Sequence, residues 1–380
     1  MGIQVLGPDI NESSGTFSVN KAGNVRYGMA GVKGVGAAAI DAIVDIRGEK
    51  PFEGIFDFAE RIAPVNNIGK KIIESLAYVG AFDSFPEITR PQFFMENSRG
   101  DIFVDALMKY AQKLQTDQFD SQNSLFGGLE ESVKPTPPEI PASREYNKME
   151  FLKKEKELVG KYLSAHPLDM YKFEIENFVK QTLSQIQELE AESGSRPDLA
   201  GKELYVAAIV SKVAKKMGKD KPFMDVEFED YSGSYSHRLF SKDYEKYMSY
   251  MQEGNILYIK FALVPPFIKN DDKQEKPKVL PCKLRIKRVA LLANTKEEFV
   301  KGISVTIPVT RFNADFNKAL VNALKSNKGE KTLNLHVIDY VNKMQVKFFS
   351  RKFNVDITED FITFLQLNSL DYKVNMDLKF

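Results

Sequence analysis

In its 380 residues the chain has one cysteine, Cys282, three histidines and no tryptophan. A single thiol excludes a disulfide framework and any zinc site built from C-x-x-C pairs. It suits a reducing cytoplasm, and a cytoplasmic location is the expectation. His166, His237 and His336 are scattered, with neither metal-ligand nor triad spacing. No apolar run approaches the roughly 20 residues of a membrane span, and no signal peptide is visible. An excess of one charge is lacking too: 53 Lys and Arg face 52 Asp and Glu, a formal charge of +1. Nucleic-acid binding, if any, must therefore come from local patches. There is no P-loop. Asp225 and Glu227 share a strand face but are crowded by Glu229 and Asp230, which reads as a solvated face. No catalytic residue, metal site or cofactor is expected in this chain.

What is present is enough apolar residue, 43%, for several cores in a chain too long for one ordinary domain. The opening "GIQVLGPDI" is strand-like and reads as the middle of a fold cut open, so a fragment of a longer chain is expected. Thr16 to Met29 predicts a hairpin with Gly23 in its turn. "GVKGVGAAAIDAIVDIR" predicts a glycine turn and a helix with Ile40, Ile43 and Val44 on one face. A short helix is expected over Asp57 to Arg61. "PVNNIGKKIIESLAYVG" repeats the turn-helix pattern, with Gly69 before it and Gly80 ending it. Asp101 to Leu114 reads as a further helix. The prolines from Pro135 to Pro141 then exclude regular structure, so 115–144 reads as a linker. Glu145 to Lys180 returns to helix, broken by Pro167.

From Gly201 the period changes to two. Three strands, a helix over Ser241 to Gln252 and two more strands follow, the order expected of a five-stranded OB barrel. From Lys296 the pattern is β-α-β-β-α-β, with helices around Phe316 to Leu324 and Glu359 to Leu367, a small α+β unit.

Three segments carry candidate chemistry. A Gly-x-Gly turn before a helix lets backbone N–H groups and the positive end of the helix dipole approach a phosphate. The first such turn is Lys33, Gly34, Val35 and Gly36. The second is Asn67, Ile68 and Gly69, with Lys70 and Lys71. The competing reading is that glycine simply makes tight turns. In "KKMGKDKPF", Lys215, Lys216, Lys219 and Lys221 sit near Phe223, a loop suited to single strands because cations track phosphate and rings stack bases. Arg238 could join that face, whereas His237 is expected to be an exposed strand residue. Finally, Gln122, Leu125 and Phe126 in "QNSLF" place two apolar side chains and an amide where a partner's pocket could take them. The alternative is that the pair folds back on its own chain.

"GPDINES", "VRYGMAGVKGVGAAAIDAIV", "IIESLAYVGAFDSF", "SQNSLFG" and "LVGKYLSAHPLDMY" stand in the order they take in the alpha subunit of bacterial DNA polymerase III, and the chain resembles the C-terminal portion of that replicative C-family polymerase. The resemblance implies a multidomain fold: a mainly α N-terminal half with tandem helix-hairpin-helix, an all-β OB-fold barrel, then a small α+β domain. It implies the end of the fingers region over 1–30, a duplex-binding helix-hairpin-helix domain over 31–114, and a linker with an internal sliding-clamp (beta) motif over 115–144. A helical connector over 145–200, an OB-fold over 201–295 and a C-terminal domain over 296–380 follow. The resemblance further implies double- and single-stranded DNA and the clamp as partners, and the clamp-loader tau subunit as a partner of the last domain. The family's PDxDxDF-type motif is absent, so nucleotidyl transfer and its magnesium would lie upstream of Met1. NAD-dependent DNA ligases also combine these modules, but no K-x-D-G or four-cysteine site stands here. A non-enzymatic single-strand-binding or scaffold protein of DNA repair remains the alternative.

Overall fold

The computed structural model describes residues 4–65, 67–123, 135–218, 221–265 and 281–376, with the backbone alone for 117–123. Two compact units divide the chain, Met1–Pro167 and Leu168–Phe380. The division falls inside the stretch expected to be a connector.

The first unit opens with three short strands, β1 (Val5–Leu6), β2 (Ser18–Val19) and β3 (Val25–Arg26), in the order β1-β3-β2. Between β1 and β2 the segment "GPDINES" is a hydrogen-bonded turn. Asp9 Oδ1 accepts from the amides of Asn11 and Glu12, and Ser13 Oγ donates to Tyr27 O. Helices α1 (Ala37–Arg47), α2 (Ile55–Ile62), α3 (Lys70–Tyr78) and α4 (Phe103–Asn123) follow, then α5 (Lys148–Val159). Their apolar faces meet in one core with Ile10 and Met29. At its centre Phe58, Phe82, Phe93 and Phe103 form a chain of ring contacts with centroid distances of 5.1, 5.2 and 5.9 Å. Edge-on and offset ring pairs add to the burial term. Helix α4 runs past the expected end at Leu114 to Asn123. "QTDQFDSQN" contains no Pro or Gly, so nothing in it stops a helix already started.

Glu155 of α5 is fully buried. Its carboxylate accepts from the amides of Leu163 (2.5 Å) and Ser164 (2.9 Å), from Ser164 Oγ (2.6 Å) and from Arg90 Nη1 (2.9 Å). That satisfies a buried charge and fixes the start of "SAHPLD" against α5.

In the second unit, α6 (Lys172–Phe178) and α7 (Leu183–Glu192) precede the strands β4 (Glu203–Met217), β5 (Pro222–Asp230) and β6 (Gly233–Phe240). Helix α8 (Ser241–Tyr247) and strands β7 (Ile256–Val264) and β8 (Lys283–Leu291) complete the expected element order. The five strands pair antiparallel in the order β6-β5-β4-β7-β8. Among the described residues β6 and β8 are the edges of this sheet, and no pairing between them is found. Leu204, Val206, Ala208, Val210, Val226, Phe228, Ile259 and Phe261 line its core face. A register shift between Val210 and Lys212 bends β4 and inverts the alternation beyond it.

Helix α9 (Leu292–Phe299) leads to β9 (Val300–Pro308), α10 (Ala314–Ser326), β10 (Lys328–Asp339), β11 (Met344–Phe349), α11 (Glu359–Leu367) and β12 (Asp371–Met376), the β-α-β-β-α-β order the sequence predicts. The strand order is β11-β10-β9-β12, with β9 and β10 parallel across α10. Phe316, Leu320, Phe361 and Leu365 are buried on the helices, and Ile303, Val305 and Leu333 on the strands. No helix among the described residues is long and apolar enough to cross a membrane.

Candidate nucleic-acid interface

The two glycine turns of the first unit are neighbours. A Cβ placed on Gly34 would stand 3.6 Å from Ser75 Oγ and 3.7 Å from Lys71 Cε, both on α3. From the second turn, Asn67 Nδ2 donates to the carbonyl of Ala38, in the first turn of α1, at 3.0 Å. The N-termini of α1 and α3 are thus held side by side.

Gly34 has φ +84°, so its turn requires glycine. Gly36 and Gly69 differ. They cap α1 and α3 with φ −75° and −94°, in the extended region, and neither cap has a side-chain hydrogen bond. An added Cβ at either would meet nothing within 4 Å. Backbone conformation therefore does not require glycine at these two positions, and a Ser, Thr or Asp there would cap the helix. Both helices keep bare, dipole-positive N-termini that a bulky anion can approach closely.

Val35 and Ile68 are buried and anchor the turns, so of these two only the backbone can face a ligand. Lys33 and Lys71 are exposed and form no ion pair among the described residues. Lys70 is engaged: its ammonium lies 2.6 Å from Asp105 and 3.7 Å from Glu74. Asp105 first, then Glu74, hold its pKa above the usual lysine value.

On the five-stranded sheet, "KKMGKDKPF" is less of a loop than expected. Lys215 and Lys216 belong to β4 and Phe223 to β5. Lys215 pairs with Met224 and Lys216 with Phe223, so strand alternation sends the two lysines to opposite faces. Lys221 is exposed at the turn, and Lys219 lies outside the described residues.

The outward face of β5 and β6 gathers Lys216, Phe223, Asp225, Arg238 and Phe240. Arg238 Cζ stands 4.9 Å from the Phe223 ring centre and 5.8 Å from that of Phe240. The two rings are 5.7 Å apart, and Phe240 is 55% exposed. Asp225 accepts from Arg238 and, at 2.9 Å, from Lys216 Nζ, and these two bonds pull its pKa down to about 2. Asp225 is thus a clasp for two cations and not merely solvated. Phe240 is a candidate for this face that the sequence reading missed. The two-residue turn after Asp230 places Phe240 opposite Phe223, so hairpin register could have found it.

His237 corrects an expectation of exposure. It is half-buried on the opposite face, 5.6 Å from the Phe261 ring and 5.9 Å from Tyr235. Burial pushes its imidazole pKa down to about 4. Of the docking motif, Gln122 falls in the backbone of α4, while Leu125 and Phe126 lie outside the described residues. No group of three or more His, Cys, Asp or Glu able to hold a metal occurs among the described residues.

Comparison with known proteins matches residues 2–93 to a helix-hairpin-helix motif family and residues 303–375 to the C-terminal domain of the DNA polymerase III alpha subunit. The first match begins well before the expected boundary at residue 31, in keeping with Ile10 and Met29 sharing the helical core. DNA polymerase III subunit alpha of Borreliella burgdorferi is 31% identical over 73% of this chain, and 24% of that protein is covered. That of Pseudomonas aeruginosa is 25% identical over 96% of this chain, with 30% covered. That of Chlamydia muridarum is 31% identical over 68% of this chain, with 20% covered. The chain thus spans a third or less of the length of these relatives. With both matches and these relatives together covering nearly its whole length, the chain belongs to the bacterial DNA polymerase III alpha-subunit family.

Proposed function

We propose that this chain is the DNA- and clamp-binding region of a cytoplasmic replicative polymerase alpha subunit, acting by binding and not by catalysis. The observation that carries the reading is the pair of adjacent, uncapped N-termini of α1 and α3, with Lys33 and Lys71 beside them. Two such termini match neighbouring phosphates of one duplex backbone and carry no base-reading groups, so contact is independent of sequence. The five-stranded sheet serves as an OB-type platform. Phe223, Phe240 and Arg238 stack and neutralise a single strand there, with Lys216 and Lys221 at its margin. Gln122, Leu125 and Phe126 form the sliding-clamp peptide. Each buried apolar side chain there is worth about 1.5–3 kcal/mol before ordering costs, which suits a tether. Edge strand β11 exposes Met344, Val346, Phe348 and Phe349, a surface for the clamp-loader tau subunit. Magnesium and nucleotidyl transfer belong to the parent polymerase, outside this chain.

The test is duplex binding by fluorescence anisotropy. The Lys33→Glu, Lys71→Glu double variant is expected to bind a 20-base-pair duplex at least tenfold more weakly, since each lost phosphate contact removes about one released counterion. It should leave binding of a 115–131 peptide to the sliding clamp unaffected. Unchanged duplex affinity refutes the hairpin assignment. A clamp that ignores the wild-type peptide but not a known clamp ligand refutes the docking assignment.

A further inference from the structure

A second basic site stands in the C-terminal part of the second unit. A cleft of about 370 Å³ lies where the end of α10, the start of β10 and the segment before α11 meet. Lys325, Lys328, Arg351 and Lys352 line it, and no carboxylate does. All four are exposed and none forms an ion pair among the described residues. In a chain of charge +1, four unpaired cations around one hollow repel one another and favour an anion between them. Lys325, in the last turn of α10, and Lys328, just past its C-cap, are accounted for by the negative end of that helix, but Arg351 and Lys352 come from a different segment.

The walls are held by backbone. Gly329 N donates to Asn354 O at 3.3 Å, and Asp356 N donates to Asn327 O at 2.8 Å. A Cβ on Gly329 would stand 2.5 Å from the Asp356 amide, so the two strands of chain approach as closely as only glycine allows. The partly exposed ring of Phe353 completes the lining, with Lys352 Nζ 5.8 Å from its centre. Clustered cations beside a half-open ring are the elements of a single-strand contact: charges for the phosphates, a face for one base.

We infer that this cleft binds the phosphates of single-stranded nucleic acid, with a base against Phe353, as a contact additional to the β5–β6 face. The choice of polymer rests on the nucleic-acid reading above; the anion site itself does not. The test uses the whole chain and a fluorescein-labelled oligothymidine, titrated at several salt concentrations. The Lys325→Gln, Arg351→Gln double variant removes two phosphate contacts. It is expected to bind about five- to tenfold more weakly, with the salt slope reduced by about 1.4. Phe353→Leu should weaken binding without changing the slope. Arg238→Gln, on the β5–β6 face, should add to the double variant's loss. Circular-dichroism melts establish that each variant is folded. Unchanged affinity and slope in the double variant, while Arg238→Gln weakens binding, overturn the cleft and leave the sheet reading intact. No oligothymidine binding by the unmodified chain overturns both. Isothermal titration with inorganic tripolyphosphate supplies the other arm. Tripolyphosphate uptake that the double variant abolishes, with oligothymidine affinity unchanged, assigns the cleft to a small anion and overturns the nucleic-acid assignment.

Discussion

Asp225 shows how one residue sets the strength of a surface. Its carboxylate holds Arg238 and Lys216, two cations that would otherwise meet phosphate. Asp225→Asn should therefore tighten single-strand binding several-fold, whereas loss of binding would mean that Asp225 is needed to pose Arg238. Titration of oligothymidine against both proteins decides it. His237 sets a pH limit. Its folded pKa of about 4 lies below the roughly 6.5 of an unfolded histidine. Between those values the unfolded chain binds the proton and the folded chain does not, so stability falls as pH drops from 6.5 to 4. Urea melts at pH 7 and 5 should show that loss, and His237→Phe should reduce it; an identical pH dependence in both proteins would assign the loss to other groups. The sequence reading caught neither feature, although the β5–β6 hairpin register that sets Phe240 opposite Phe223 also sets Arg238 opposite Asp225. Asp225 and Arg238 meet only through strand register, and His237 alternates with Arg238, so which of them is buried depends on the face the sheet turns inward. Glu155 is a stronger case, because its partner Arg90 lies far off in the chain and nothing local marks a glutamate for burial.

At the scale of elements the patterns were plainer. Ile303, Val305 and Ile307 alternate cleanly in β9, and Phe316, Leu320 and Leu324 repeat at helical spacing in α10, so the last six elements could be read directly. The β4 bulge was invisible, and by inverting the alternation beyond Val210 it decides which of Lys215 and Lys216 faces outward. The turn-helix pairs were legible as motifs, but the adjacency of their N-termini was not, since it depends on how α1 and α3 pack. The uncapped α1 terminus carries a direct test. In Gly36→Asp the aspartate can accept from first-turn amides, because the backbone is already extended and the space is open. The variant should be more stable by a few tenths to about 1 kcal/mol and should raise the melting temperature. It should also bind duplex DNA more weakly, because the new carboxylate occupies the place of a phosphate. A variant that is stabilised and binds as before would show that the terminus does not face the DNA.

For the whole molecule, the balance of charges hides the function. A formal charge of +1 averages over local groups that do not average in space: Lys33 with Lys71, Arg238 with Lys216, and the four cations of the C-terminal cleft. Each pairs with backbone amides or rings, and each suits phosphate more than base edges. The account therefore predicts affinity set by salt and length and not by sequence. Its central claim is that the paired α1 and α3 termini grip duplex backbone. The most direct measurement is the affinity of the unmodified chain for two 20-base-pair duplexes of unrelated sequence, from low to moderate salt. The account predicts equal affinities and a log–log slope steeper than about −2, corresponding to two or more phosphate contacts, with the slope shallower in the Lys33→Glu, Lys71→Glu variant. A flat salt dependence, or a strong preference for one sequence, would contradict it.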